Sequence, residues 1–285
     1  MKLGVTLRTM GPRATAAVLA ACARAAEEAG LADVWIPDHV AIPPDDAEGS
    51  EGHYLDPLAT LAWLAAATSR IGLGTGVLNL PYRPPLPTAK AVATVQALSG
   101  NRLRLGVGVG WMKPEFRALG VPRSRRGALT DETLAFLRGC FAEDVVEAHG
   151  QPFLFRPRPP APPILVGGAP PHALERAVRY GDGWLPIAPD PASLRVAAAE
   201  LQERAREAGR GALAVVCMSP LDLTDPPRAE AQLAALREAG ASHVVHATRA
   251  AEPDDYRRVV DGLARLAEAV APTVPRNDEK EKEWT

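Results

Sequence analysis

Short apolar, β-branched runs alternate with alanine-rich stretches of helical length along nearly the whole chain, and nothing else limits its fold as strongly. Strand-like runs fall at 2–7, 33–37, 71–77, 103–110, 163–168, 183–187, 213–218 and 243–247. Helical stretches lie between them at 14–29, 57–69, 85–98, 170–180, 191–208, 228–239 and 254–270. Repeated βα units predict a parallel sheet joined by right-handed crossovers. Eight strands in about 250 residues fit a closed (β/α)8 TIM barrel better than an open doubly wound sheet.

Three segments break the rhythm. Residues 40–54, rich in Pro, Asp, Glu and Gly, read as a loop after the second strand. Residues 111–161 read as an insertion after the fourth strand: a turn, a helix near 126–140, and a hairpin over 145–155 turning at His149-Gly150. The proline-dense stretch 156–163 must run extended. We therefore expect one domain over 1–275, with 276–285 a charged, disordered tail.

The bulk composition excludes more than it suggests. A formal net charge of −2 gives no electrostatic case for nucleic acid or an anionic membrane. Cys22, Cys140 and Cys217 are far apart and have no neighbouring histidine, so neither a disulfide framework nor a zinc site is expected. No signal-peptide core and no run of about 18 apolar residues is present. The expectation is a soluble cytoplasmic protein.

Two strands carry glycine at every second position, Ile71-Gly-Leu-Gly-Thr-Gly-Val77 and Leu105-Gly-Val-Gly-Val-Gly-Trp111. Each then has one bare face, which suits either close approach of a flat ligand or large side chains packed opposite. The dinucleotide pattern G-x-G-x-x-G fails, because Val77 and Trp111 stand where it needs glycine. Walker, G-x-S-x-G and H-E-x-x-H patterns are absent as well.

In a parallel barrel the chemistry gathers at the carboxyl ends of the strands. Strand two ends in Asp38-His39, an adjacent acid and imidazole. Imidazole can trade a proton near neutral pH, with Asp38 orienting the ring or meeting a cofactor's polar edge. The plainer alternative is a loop cap beside a packing histidine. His53 falls in the following loop and is a candidate pocket residue. His149 reads as a turn residue, and His243 and His246 as structural. Gly167-Gly168-Ala169-Pro170 puts bare backbone before a helix N-terminus, a seat for phosphate, with His172 in the helix's first turn. Gly181-Asp-Gly-Trp184 reads as a structural turn.

Taken together, Trp35-Ile-Pro-Asp-His39, the two glycine strands, Leu98-Ser-Gly-Asn-Arg102, Glu115-Phe-Arg-Ala-Leu-Gly120, Pro162–Gly168 and Arg179–Trp184 resemble the luciferase-like monooxygenase superfamily. The nearest resemblance is to its branch of probable coenzyme F420-dependent oxidoreductases. The resemblance implies a TIM-like barrel binding coenzyme F420, or alternatively FMN, at the strand ends. It implies a cis peptide at Gly76-Val77 behind the ring, with Gly108 and Gly110 on the neighbouring strand. Asp38 would lie at the ring's polar edge and His39 at the reacting position. Gly167, Gly168 and Ala169 would receive the phosphate. Trp35, His53 and Trp111 would shape the substrate side. Strand four ends in Gly110-Trp111 without the acidic residue of the sugar-phosphate dehydrogenases, and without a phosphate-binding arginine, which tilts the reading to the deazaflavin. The implied activity is hydride transfer to or from a small organic substrate, with His39 exchanging the proton. The alternative is an FMN monooxygenase served by a separate reductase; either implies a homodimer. No metal is implied.

Overall fold

The computed structural model describes residues 1–270. Its strands are β1 (Lys2–Thr6), β2 (Asp33–Ile36), β3 (Gly72–Thr75), β4 (Leu78–Asn79), β5 (Leu103–Gly108), β6 (Val145–Ala148), β7 (Gln151–Leu154), β8 (Ile164–Gly167), β9 (Gly183–Leu185), β10 (Ala214–Ser219) and β11 (His243–His246). The helices are α1 (Ala16–Glu28), α2 (Pro57–Ala67), α3 (Pro85–Leu98), α4 (Lys113–Ala118), α5 (Arg126–Ala142), α6 (His172–Tyr180), α7 (Pro191–Glu207), α8 (Pro226–Glu238) and α9 (Pro253–Ala269). The tail expected at 276–285 lies outside the described residues.

Parallel pairing runs β3-β2-β1-β11-β10-β9-β8-β5, and β3 pairs with β5, so the sheet closes into an eight-stranded barrel. Outside it, α1, α2, α3, α5, α6, α7, α8 and α9 pack in succession, and α9 returns to α1. The helix α5 therefore completes the ring, and the segment 111–161 adds only α4 before it and the β6–β7 hairpin after it. Local chemistry starts these helices where the sequence changes character. Asp56, Asp190 and Asp225 accept from Ala59, Ser193 and Arg228 backbone N–H groups, and proline occupies the first turn of α2, α7 and α8. At the far end of α2, Arg102 donates to the carbonyls of Ala65, Thr68, Ile71 and Ser99 and to the Thr68 hydroxyl. One guanidinium thus satisfies a helix end and a strand entry that would otherwise bury unpaired oxygens.

The barrel interior is filled by protein. Trp35, Leu165, Leu185, Val216, Met218 and Val245 form its apolar cluster, with Val77 packed against it. Gly74 in β3 and Gly76 just after it make room for these neighbours. A Cβ at Gly74 would stand 2.3 Å from the Trp35 ring, and one at Gly76 would stand 2.4 Å from the Met218 methyl. Trp35 is fully buried, and its indole donates to Asp33 Oδ1 at 2.6 Å. This corrects its expected place on the substrate side: the residue points into the barrel core. The larger apolar core, including Leu61, Leu134, Leu201 and Val260, lies between sheet and helices.

His243 and His246 are buried, as a structural role requires. His246 Nδ1 accepts the Leu221 N–H at 3.0 Å, and burial holds its pKa down to about 4. A neutral imidazole in the fold that would titrate near 6.5 in the unfolded chain stabilises fully above that value. Stability is lost as pH falls from 6.5 towards 4. Urea midpoints measured at pH 7 and pH 5 should therefore differ less in His246→Gln than in the wild type; an equal pH slope would remove His246 as the source.

Candidate active site

All eight barrel strands run in one direction, so the loops after β2, β3, β5, β8 and β9 share the carboxyl-end mouth. The register explains the local shape after β3. Gly74 pairs with Arg104 but Leu78 with Val107, so the first chain has one residue more than the second between these pairs. That extra residue makes a bulge. The Gly76–Val77 peptide within it is cis. Gly76 and Val77 are partly exposed, whereas the rest of 71–80 is buried.

The second glycine strand makes room for this bulge. A Cβ at Gly106 would stand 2.0 Å from the Thr75 carbonyl oxygen, and the Thr75 hydroxyl donates to the Gly106 carbonyl at 2.7 Å. Cβ atoms at Gly108 and Gly167 would meet the two Val77 methyls at 2.5 and 2.9 Å. Gly110, at φ +72°, lies beneath the Tyr82 and Phe116 rings. The bare faces at Gly108 and Gly110 are therefore occupied by Val77, Tyr82 and Phe116, and both glycines are buried. This corrects the reading of them as a wall open to a ligand; close packing is the physical reason for the glycines.

Asp38 is likewise turned inward. Its carboxylate takes a two-pronged pair from Arg83 at 2.6 and 2.8 Å and the Asn79 N–H at 2.8 Å, and the residue is 2% exposed. Its own carbonyl accepts from the Asn79 side chain at 3.0 Å. Asp38 thus clamps the chain leaving the bulge; it neither faces the mouth nor orients His39.

Glu115, at the start of α4, occupies the place expected of Asp38. It is 0% exposed, and its Oε2 lies 3.2 Å from His39 Nδ1 and accepts the Tyr82 hydroxyl at 2.8 Å. Its Oε1 accepts the N–H groups of Val40 at 2.7 Å and Ala41 at 3.3 Å. Burial by itself would raise this carboxyl, but His39, the two amides and Tyr82 outweigh it and bring the pKa to about 2. Burial and the hydrogen bond to Glu115 push the Tyr82 phenol well above its ordinary range. Glu115 is ionised across the physiological range and Tyr82 is neutral. The only sequence signal for this pairing was Glu115's place in the motif 115–120; its partners lie 33 and 76 residues upstream.

The His39 side chain is 19% exposed, and its ring packs 5.0 Å from Tyr54 and 6.3 Å from Trp111, edge to face with the latter. Nε2 has no hydrogen-bond partner among the described residues and reaches solvent. Trp111 is 64% exposed. The loop 40–54 that carries Tyr54 is tied to the chain after β1: Gly11 N–H donates to the His53 carbonyl, Leu55 N–H to Thr9, and Arg8 to Gly49. The His53 residue is exposed, and its ring makes no hydrogen bond among the described residues.

A second feature flanks the mouth. Gly167, Gly168 and Ala169 line a cavity of about 340 Å³ with Val109, Ser124, Arg126, Gly127, His172, Ala173 and Arg176. Gly168, at φ +120°, has its carbonyl held by the Trp184 indole at 2.8 Å. Arg176 is paired with Asp131 at 2.7 Å, whereas Arg126 has no acidic partner among the described residues. The N-terminus of α6 adds its dipole. Glycine backbone, a helix N-terminus and two guanidiniums suit a phosphate; Ser124, Arg126 and Arg176 escaped the sequence reading because they come from the lead-in to α5, its first residue and the middle of α6. Asp182 of the Gly-Asp-Gly-Trp turn pairs with Arg138 and accepts the Ile164 N–H, a structural clasp as expected. Among the described residues no cluster suited to a metal ion occurs, and no helix is long and apolar enough to cross a membrane.

Fold and geometry together define a closed parallel-barrel protein with a candidate site at the strand ends. The chain belongs to the luciferase-like monooxygenase family, whose model matches residues 1–283. An uncharacterised protein of Mycobacterium tuberculosis is 36% identical over 206 residues, 66% of this chain and 71% of that one. The F420-dependent hydroxymycolic acid dehydrogenase of the same organism is 34% identical over 187 residues, 60% of this chain and 49% of that one. Among solved structures, the oxygenating constituent of 3,6-diketocamphane monooxygenase from Pseudomonas putida, in complex with FMN, superposes with a TM-score of 0.77 at 15% identity, covering 96% and 98% of the two chains. Family membership supports an oxidoreductase or monooxygenase activity.

Proposed function

We propose that this protein is an F420-dependent oxidoreductase acting on a small organic substrate, with His39 exchanging the substrate proton. The observation that carries this reading is the pairing, at one barrel mouth, of an accessible imidazole nitrogen held by a buried carboxylate with a glycine-lined basic cavity. The residues present fit the cofactor: the cavity supplies amides and cations for its phosphate, and the partly exposed bulge at Gly76-Val77 supplies a surface for its ring. When bound, the deazaflavin carries the hydride at C5.

The chain's own residues do the rest. Gly167, Gly168 and Ala169 with Arg126 hold the anionic end, and Trp184 fixes the loop that presents those amides. Exposed Trp111 and Val40 flank His39 and give the substrate an apolar wall. His39 Nε2 takes or gives the proton. The 34% identity to a dehydrogenase named for F420 and the absence of a cation at the end of β5 support the deazaflavin. One observation favours a second reading: two guanidiniums around the cavity also suit the phosphomonoester dianion of FMN, the ligand of the superposed monooxygenase. That enzyme would need a separate flavin reductase.

Purified protein titrated side by side with F420 and FMN decides between them. F420 should bind at least about tenfold tighter, roughly 1.4 kcal/mol; tenfold preference for FMN would replace the first reading by the second. Arg126→Ala should weaken the preferred cofactor about tenfold, as loss of a charge-assisted contact to phosphate requires. An unchanged Kd would move the phosphate out of this cavity.

A further inference from the structure

We propose that Glu115 is a positioning residue that fixes His39 as its Nδ1–H tautomer and so presents a bare Nε2 at the mouth of the barrel. The inference rests on the reading of His39 as the proton-exchanging group, and it assigns both the nitrogen that exchanges and the residue that selects it.

The argument is one of donors and acceptors. Glu115 is fully buried, and each of its oxygens has two partners: Val40 and Ala41 N–H on Oε1, the Tyr82 hydroxyl and His39 Nδ1 on Oε2. An ionised carboxylate only accepts, so Nδ1 must carry the proton. A neutral imidazole protonated at Nδ1 has its lone pair on Nε2. That nitrogen is the one without a partner among the described residues and in contact with solvent. Rings from Tyr54 and Trp111 pack against the imidazole, so selecting the tautomer also selects which atom meets the substrate. Asp38, the nearer acid in sequence, takes no part because Arg83 and Asn79 occupy its carboxylate.

The same geometry makes Glu115→Gln an informative, isosteric test. Two backbone N–H groups converge on the Oε1 position and demand an acceptor there, which places the amide oxygen at Oε1 and the NH2 group at Oε2. The NH2 then donates to His39 Nδ1 and the Tyr82 oxygen, and the imidazole proton must move to Nε2. The variant should invert the tautomer while leaving the packing intact.

Nitrogen NMR of the histidine side chains in the free protein reads this without any substrate, the His39 signals being identified by their loss in His39→Gln. Wild type should show Nδ1 protonated and Nε2 bare, Glu115→Gln the reverse, and Tyr82→Phe, which removes only a competing donor, the wild-type pattern. A wild-type His39 protonated at Nε2 overturns the proposal, even if the variants fail to fold. So does a Glu115→Gln protein that keeps the Nδ1–H tautomer. With a substrate that the wild type turns over, Glu115→Gln should lose at least about 100-fold in kcat with cofactor Kd held within about threefold; a wrong tautomer costs up to about 10⁴-fold in a hydrolase triad. Inverted tautomer with undiminished kcat would support the tautomer assignment and instead count against His39 as the proton-exchanging group.

Discussion

Alanine at Gly106 is expected to destabilise the barrel by roughly 3 kcal/mol or more, lowering Tm by about 5–10 °C. The added Cβ would lie 2.0 Å from the Thr75 carbonyl oxygen and 3.1 Å from a Leu185 methyl. A flexible side chain can give way, but Thr75 is a β3 residue held by pairing to β2 and by its own hydroxyl bond to Gly106. Relief requires separating β3 from β5, which opens the closing seam of the barrel and displaces the Gly76–Val77 bulge. Gly139→Ala provides the contrast. It lies in α5 with nothing within 4 Å of its would-be Cβ, so alanine there should be neutral or stabilising by about 0.5–1 kcal/mol. Thermal melts of both proteins check the pair. A Gly106→Ala melt within about 1 °C of wild type would mean that the glycine is not needed for strand approach.

His39→Ala is expected to lower turnover by about 10²- to 10⁴-fold, the range for loss of a general acid or base. Cofactor affinity should change by less than about threefold, because the cavity that suits the phosphate is built from β8, α5 and α6 and contains no atom of His39. The split separates the two functions assigned to the mouth. The imidazole is 3.2 Å from a carboxylate that stays ionised down to about pH 2, and its other nitrogen is open. Glu115's carboxyl is depressed in the fold, so its contribution is complete above its unfolded value near 4.5 and disappears as pH falls towards 2. Between pH 5 and 9 the partner of His39 is therefore constant, and changes in rate across that window report other groups. Turnover retained in His39→Ala would withdraw the proton-transfer assignment and leave the cofactor cavity standing.

Much of the fold was legible in order along the chain because each βα unit carries its own signals. The eight strand runs and seven helices between them match observed elements to within a few residues, as do the hairpin at His149-Gly150 and the α5 helix. Alternating period, aspartate caps and first-turn prolines are local properties, and local properties survive folding. The site was legible only in part. His39 at a strand end, the Gly76–Val77 cis peptide implied by the family resemblance, and the Gly167–Ala169 turn at a cavity were all foreseen. Glu115, Tyr82, Arg83, Arg126 and Arg176 were not, since each acquires its meaning from residues tens of positions away: a hydrogen-bond partner for four of them, the Gly167–Ala169 turn for Arg126.

The alternating glycines show the division most clearly. By itself the sequence determined that two neighbouring strands each have a bare face, because a two-residue period leaves no choice of side. It could not say what fills that face. Barrel closure decided it, bringing Trp35 over Gly74, Met218 over Gly76 and the Thr75 carbonyl against Gly106. The same closure turned Asp38 to Arg83 and gave His39 to Glu115 instead. A chain specifies its periods and caps through near neighbours, but which polar group satisfies which is settled only when distant segments compete for the same buried space.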